Sequence, residues 1–143
     1  PGPAERLRLS SQLQRFAPTS GERNAGIWTT EGGSIEAQDS AITGFHNGVY
    51  ASNTAYAECD RCHIVNSTDS GVVADGASVE ATGAIVTGSA GWAYAALHQG
   101  TMRLGNPSAG ASGNALGTFS VEPAGTNPKN GVPYLASGMV IFE

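Results

Sequence analysis

Basic residues are scarce in this chain: seven Lys and Arg face twelve Asp and Glu among 143 residues, a formal net charge of -5 at pH 7 with histidine neutral. Nothing supplies the basic stripe that neutralises a phosphate backbone, so nucleic acid is not an expected partner. Aromatic residues make up only 7%, which argues against a core of large side chains. No apolar run approaches a membrane span and no basic-then-apolar leader opens the chain, so membrane insertion is not expected. Two cysteines fall short of the four ligands of a structural zinc site, and no metal is expected. What the chain does have is twenty glycines with abundant Ala, Ser and Thr, the composition of a turn-rich β protein. Its apolar residues recur too regularly for disorder, and its length suits one domain. The opening Pro1-Gly2-Pro3 reads as a cut inside a longer polypeptide.

The regular recurrence is a repeat. Ile35-Glu36-Ala37 aligns without gaps on Ala57-Glu58-Cys59 and on Val79-Glu80-Ala81. Further along the same coils, Ile42, Ile64 and Val86 share a β-branched column, and Gly44, Asn66 and Gly88 share one whose residue types tolerate φ > 0. A second short strand follows each turn: Gly48-Val49-Tyr50-Ala51, Gly71-Val72-Val73-Ala74 and Trp92-Ala93-Tyr94-Ala95, with one residue of slack near Ser70. This alignment sets Tyr50 and Tyr94 in one column. A fourth coil begins at Thr101-Met102-Arg103-Leu104, where Arg103 interrupts the glutamate column. Period-two alternation broken by Gly, Asn, Asp and Ser excludes helical repeats, and the leucines of a leucine-rich repeat are missing. The expected fold is all-β: a right-handed parallel β-helix of about 4 coils of about 22 residues. Residues 1–30 form an N-terminal strand or helix and connector, with Ala4 to Phe16 fitting either. The β-helix covers 31–105, and 106–143 form a β or irregular cap ending in an apolar strand, Met139, Val140, Ile141 and Phe142. Open ends expose apolar side chains and strand edges, which caps or partner chains must cover.

The coils at Gly32 to Ala51 and Gly76 to Ala95, and the ending Gly138-Met139-Val140-Ile141-Phe142-Glu143, resemble the β-helical tail spikes and tail fibres of tailed bacteriophages. The resemblance covers roughly residues 30–143. It implies a homotrimer, with Met139 to Phe142 as its trimerisation strand, a place in the virion tail, and attachment to the host through bacterial surface polysaccharide. Some members of that family cleave the polysaccharide with grooved carboxylates. The coils here are few and no long inserted loop walls a groove, so attachment is the expected role. A glycoside hydrolase or polysaccharide lyase and a purely structural trimerisation module are the alternatives.

Three groups of residues carry these possibilities. Glu36, Glu58 and Glu80 would stand about 5 Å apart, each exposed like-charge pair costing up to about 1 kcal/mol. Two of them, with Asp39 or Asp60, have the spacing of a general acid and base on a glycosidic bond; the plainer alternatives are a solvated outward face, or a ladder met by Arg103 and Arg61 of the same or a neighbouring chain. Trp92, Tyr50 and Tyr94, with Arg103, are the candidates for saccharide contact or packing between chains. Trp28, Tyr56 and Phe45 are the other large aromatics of the repeat region. The string Cys59-Asp60-Arg61-Cys62-His63 has the spacing that attaches c-type haem. In the repeat, however, both cysteines fall where other coils have Ala37, Ser40, Ala81 and Ala84. They read as free thiols filling the core, a bridge between them remaining open, and no cofactor is expected.

Overall fold

A computed structural model gives the fold and describes residues 6–8, 14–16, 25–105, 110–121, 125–126, 133–134 and 138–142. Described residues include strands and turns but no helix. The strands come in threes: β1 (Arg6–Arg8), β2 (Gln14–Phe16), β3 (Ile27–Thr29); β4 (Ser34–Gln38), β5 (Ser40–Thr43), β6 (Val49–Ser52); β7 (Tyr56–Asp60), β8 (His63–Val65), β9 (Val72–Asp75). They continue as β10 (Ser78–Glu80), β11 (Ile85–Thr87), β12 (Trp92–Leu97); β13 (Thr101–Leu104), β14 (Ala111–Ser112), β15 (Gly117–Val121). A small antiparallel pair, β16 (Gly125–Thr126) with β17 (Pro133–Tyr134), precedes β18 (Met139–Phe142).

Each strand pairs in parallel with the strand one coil away, which builds three sheets: β1-β4-β7-β10-β13-β18 (sheet A), β2-β5-β8-β11-β14 (sheet B) and β3-β6-β9-β12-β15 (sheet C). The ladder Ile27, Val49, Val72, Tyr94, Phe119 counts four turns of the solenoid at about the expected spacing. The stack begins before residue 31 and continues past residue 105, since β1 to β3 and β14 to β15 add to the same sheets. Of the stretch Ala4 to Phe16, the described residues Arg6–Arg8 and Gln14–Phe16 are strands. The apolar ending finds its partner within the chain: β18 lies on β13, with Val140 beside Met102 and packed against the core.

Left-handed residues make the corners. Gly44, Asn66 and Gly88 all have positive φ, as their column requires. Two further corner columns hold ordinary residues in that region: Asp39 and Arg61 ahead of Gly83, and the pairs Asn53/Thr54 and His98/Gln99. Such backbone is costly for L-residues, by about 1 to 2 kcal/mol each, and survives where the surroundings over-determine it. At Asp39 and Arg61 the two side chains hold each other, the guanidinium donating to the carboxylate at 2.7 and 3.1 Å.

Inside, small and branched residues alternate between coils. A Cβ added to Gly26 would come within 2.5 Å of Ile42, and one added to Gly48 or Gly71 within 2.3 Å of Ile64 or Val86. Each glycine therefore makes room for the β-branched residue of the following coil. The next position of the branched column is Ala111, and there the glycine column changes to Ala93.

Cys59 and Cys62 are joined in a disulfide, which corrects the expectation of free thiols. The cause is the corner between β7 and β8. With Arg61 at φ 56 and the Cys62 amide donating to the Cys59 carbonyl at 3.3 Å, the turn brings the two Cα atoms to 5.5 Å and aims both side chains inward. That separation is in the range a disulfide spans. Both cysteines are completely buried, so neither sulfur is available to a haem.

Two outcomes are expected. Denatured, unreduced protein takes up no alkylating reagent at Cys59 or Cys62 and takes up two equivalents after reduction, read by mass; a double Cys→Ala variant keeps the fold, as Ala81 and Ala84 do one coil later, and loses about 2 kcal/mol in chemical denaturation. Gly48→Ala costs about 1 to 3 kcal/mol by overpacking, and Gly48→Ala with Ile64→Val costs less than the sum of the two single changes.

Candidate binding face

On sheet A every second residue faces outward, so the coils set charged and hydroxyl side chains in vertical columns. One column reads Arg8, Glu36, Glu58, Glu80, Arg103, Ile141 by backbone register. The three glutamates are brought together as expected, and the acidic run has an arginine position at each end. Arg61 is not among them, being turned away to Asp39 at the corner. The neighbouring column reads Ser34, Tyr56, Ser78, Thr101, Met139.

Cross-coil hydrogen bonds organise the carboxylates. Gln38 Nε2 donates to Glu58 Oε1 at 3.1 Å. The Tyr56 hydroxyl lies 3.3 Å from Glu58 Oε2 and 3.1 Å from Glu80 Oε2 and shares its proton between them. Partial burial, together with these carboxylates, raises the Tyr56 phenol well above its ordinary value, so it remains a donor at neutral pH. Glu36 is almost fully covered, whereas Glu58 and Glu80 are half-buried. Asp60, two residues beyond Glu58 on the same face, accepts the Thr82 amide at 2.9 Å. Desolvation, with the Glu58 and Glu80 charges beside it, outweighs that bond and pushes its carboxyl up to about 6. Asp39, by contrast, is held below the usual carboxylate range by the Arg61 hydrogen bond.

Next to this network a groove of about 320 Å³ opens between the two columns, over Val79, with Tyr56, Ser78, Glu80, Thr101 and Arg103 around it. Donors, acceptors and both signs of charge meet here within two coils. Tyr56 was the residue least visible as a participant; its one signal is a tyrosine at an outward position flanked in register by Ser34 and Ser78.

The other expected contact residues are placed apart. Tyr50 faces outward on sheet C and donates to Asp75 Oδ2. Tyr94 does not share its column: the register sets Tyr94 on Val72 and Val49, and Tyr50 on Val73 and Ala95. The steps Asn66 to Val72 and Gly88 to Tyr94 are one residue longer than Gly44 to Val49, and a slip of one residue turns a strand side chain to the opposite face. Tyr94 is consequently in the core with no exposed surface, its hydroxyl donating to the Ala84 carbonyl at 3.3 Å, and burial pushes its phenol up to about 12. Trp92 is half-buried at the corner between sheets B and C. It lies over Gly117, where φ is 121 and a Cβ would reach within 3.1 Å of the indole. Of the terminal strand, Met139 and Phe142 are exposed, and Val140 and Ile141 half-buried. Among the described residues no three His, Cys, Asp or Glu side chains come together as metal ligands.

No protein-family model, curated protein or solved structure matches this chain.

Asp60 makes stability depend on pH. Its carboxyl is at about 6 in the fold, against an ordinary 3.8, so ionisation favours the unfolded chain as pH rises from about 4 to 6. Asp60→Asn should therefore gain relative to the parent on going from pH 4.5 to 7.5, by on the order of 1 kcal/mol because solvent screens a carboxyl still partly open to water. Urea denaturation of both proteins at the two pH values measures it.

Proposed function

We propose that this β-solenoid binds bacterial surface polysaccharide in host attachment, as part of a trimeric tail fibre or spike of a tailed phage. The observation that carries the reading is the groove beside Tyr56, Glu80 and Arg103. Sugar hydroxyls both donate and accept, and the groove offers a carboxylate, a guanidinium and three hydroxyls on strands that a continuous ladder holds in place. Such preorganisation keeps the ordering cost of binding low. Three copies on one axis would convert weak contacts into avidity. The exposed Met139 and Phe142 at the end of the stack favour a trimer, since partner chains would cover them.

A second reading, cleavage of the same polysaccharide, is favoured by the Asp60 carboxyl at about 6. A carboxyl raised to about 6 beside Glu58 and Glu80 has the pairing of a general acid and a nucleophile or base.

Binding of the full chain to immobilised capsule and O-antigen polysaccharides tests the first reading. Arg103→Ala and Glu80→Gln should each weaken it by about tenfold with the molecular mass in light scattering unchanged; binding indifferent to both would overturn the groove, and a mass near one chain would overturn the trimer. Release of reducing ends by the parent and its loss in Asp60→Asn would establish cleavage, and no release by the parent removes it.

A further inference from the structure

We infer that the groove on sheet A takes two consecutive residues of a neutral, equatorially linked polysaccharide chain, lying along the solenoid axis with one pyranose to each coil. The inference rests on the saccharide reading above and adds to it the direction, the linkage class and the charge of the ligand.

The groove's walls come from four strands in ladder order: Tyr56 on β7, Ser78 and Glu80 on β10, Thr101 and Arg103 on β13, and Ile141 on β18. It therefore runs across the strands, in the direction in which the coils stack, and not along any one strand. Three steps of the ladder separate its ends, roughly 14 Å. The two middle strands each present a residue on both sides, Ser78 opposite Glu80 and Thr101 opposite Arg103, and the register sets Ser78 on Thr101 and Glu80 on Arg103. One wall is thus a hydroxyl row and the other a charged row, their Cα atoms two residues apart along each strand, about 7 Å. That width suits a single row of sugar rings. Tyr56 stands at one end, its hydroxyl engaged with Glu58 and Glu80, and the apolar Ile141 at the other. A volume of about 320 Å³ is at the small end of ligand sites, which limits the groove to a short stretch of chain, one residue for each of the two middle strands.

The coil spacing selects the linkage. Pyranoses joined through equatorial bonds, as in a β-1,4-linked chain, form a straight ribbon that advances per residue by nearly the coil-to-coil distance of about 4.8 Å. Each ring then meets its own hydroxyl and its own charged side chain. A chain joined through axial bonds, as in an α-1,4-linked glucan, curves away from a straight groove after the first ring. The walls select the charge. From one middle strand to the next, Ser78 gives way to Thr101, which keeps a hydroxyl, while Glu80 gives way to Arg103, which inverts the sign. A chain with the same charge on every residue is attracted at one level and repelled at the other. Neutral hydroxyl and acetamido groups donate to Glu80 and accept from Arg103 equally well. Because adjacent strands of one ladder hold the two levels in register, the ordering cost of binding falls mainly on the sugar.

Calorimetry of the full chain with methyl β-glucopyranoside, cellobiose, cellotriose, chitobiose, maltose and β-1,4-linked dimannuronate tests the inference. Cellobiose or chitobiose should bind about tenfold more tightly than the monosaccharide glycoside, with cellotriose within about twofold of cellobiose because its third ring lies beyond the groove. Maltose and dimannuronate should bind about tenfold more weakly than the better disaccharide. Ser78→Ala and Thr101→Ala, one on each middle strand, should each weaken that disaccharide by about threefold with circular dichroism unchanged. The inference is overturned if neither cellobiose nor chitobiose gives saturable heat, or if maltose or dimannuronate equals the better of them. An effect from only one of the two alanine variants sets the ligand across a single coil and overturns it as well. Capsule or O-antigen binding that Arg103→Ala weakens, with every disaccharide silent, leaves the groove reading standing and removes this inference alone. Polysaccharide binding indifferent to both Arg103→Ala and Glu80→Gln removes the two together.

Discussion

In a parallel stack each residue lies about 4.8 Å from its equivalents one coil before and one coil after, and nearly every feature of this molecule follows from that spacing. A side chain is selected by its own neighbours in the column as much as by its strand. The glycines at 26, 48 and 71 exist because Ile42, Ile64 and Val86 occupy the space their Cβ atoms would need. When the branched column shrinks to Ala111, the glycine column relaxes to Ala93. The core is thin, yet it is filled by such matched pairs and not by large side chains.

The same spacing turns charge into a structural problem. Glutamates repeated at one position would repel along the whole column, and the fold answers in several ways at once. Arg103 takes the next place in the column after Glu80, Tyr56 spans Glu58 and Glu80, and Gln38 binds Glu58. Asp60, which adds a further carboxyl to the same face, gives way by holding its proton up to about 6. A face that has to be neutralised from within is also one rich in oriented donors and acceptors, and the groove lies where the acidic column meets Arg103. The demand of the stack and the chemistry available to a ligand therefore have one origin.

The outward faces nonetheless differ in character. Sheet A carries carboxylates and a groove, whereas sheet C carries the exposed Trp28 and, separately, the hydrogen bond from Tyr50 to Asp75. A three-sided solenoid can thus present outward faces of different chemistry on one ladder of strands. Repetition supplies the scaffold, and departures from it, such as Arg103 in the glutamate column or Trp28 in a column of smaller residues, supply the chemistry.

The columns themselves were legible in the sequence. Glu36, Glu58 and Glu80, the branched column, and the turn column of Gly44, Asn66 and Gly88 all stand as the repeat aligns them, because period and register are properties of order along the chain. Corners occupied by Asp39, Arg61 or His98 carried no such mark, since ordinary side chains enter left-handed backbone only when a tertiary partner holds them there. Tyr94 was turned to the wrong face by one extra residue in a turn, a difference too small to show in composition and large enough to exchange surface for core. The Cys-x-x-Cys spacing was visible, but whether two sulfurs meet depends on the angle of the corner between them. What the order of residues determined by itself was the period, the sheets and which side chains share a column. What only the tertiary structure decided was how neighbouring columns touch: the bond between the cysteines, which depends on the corner within one coil, and the tyrosine bridging two carboxylates and the raised carboxyl of Asp60, which depend on distances between coils.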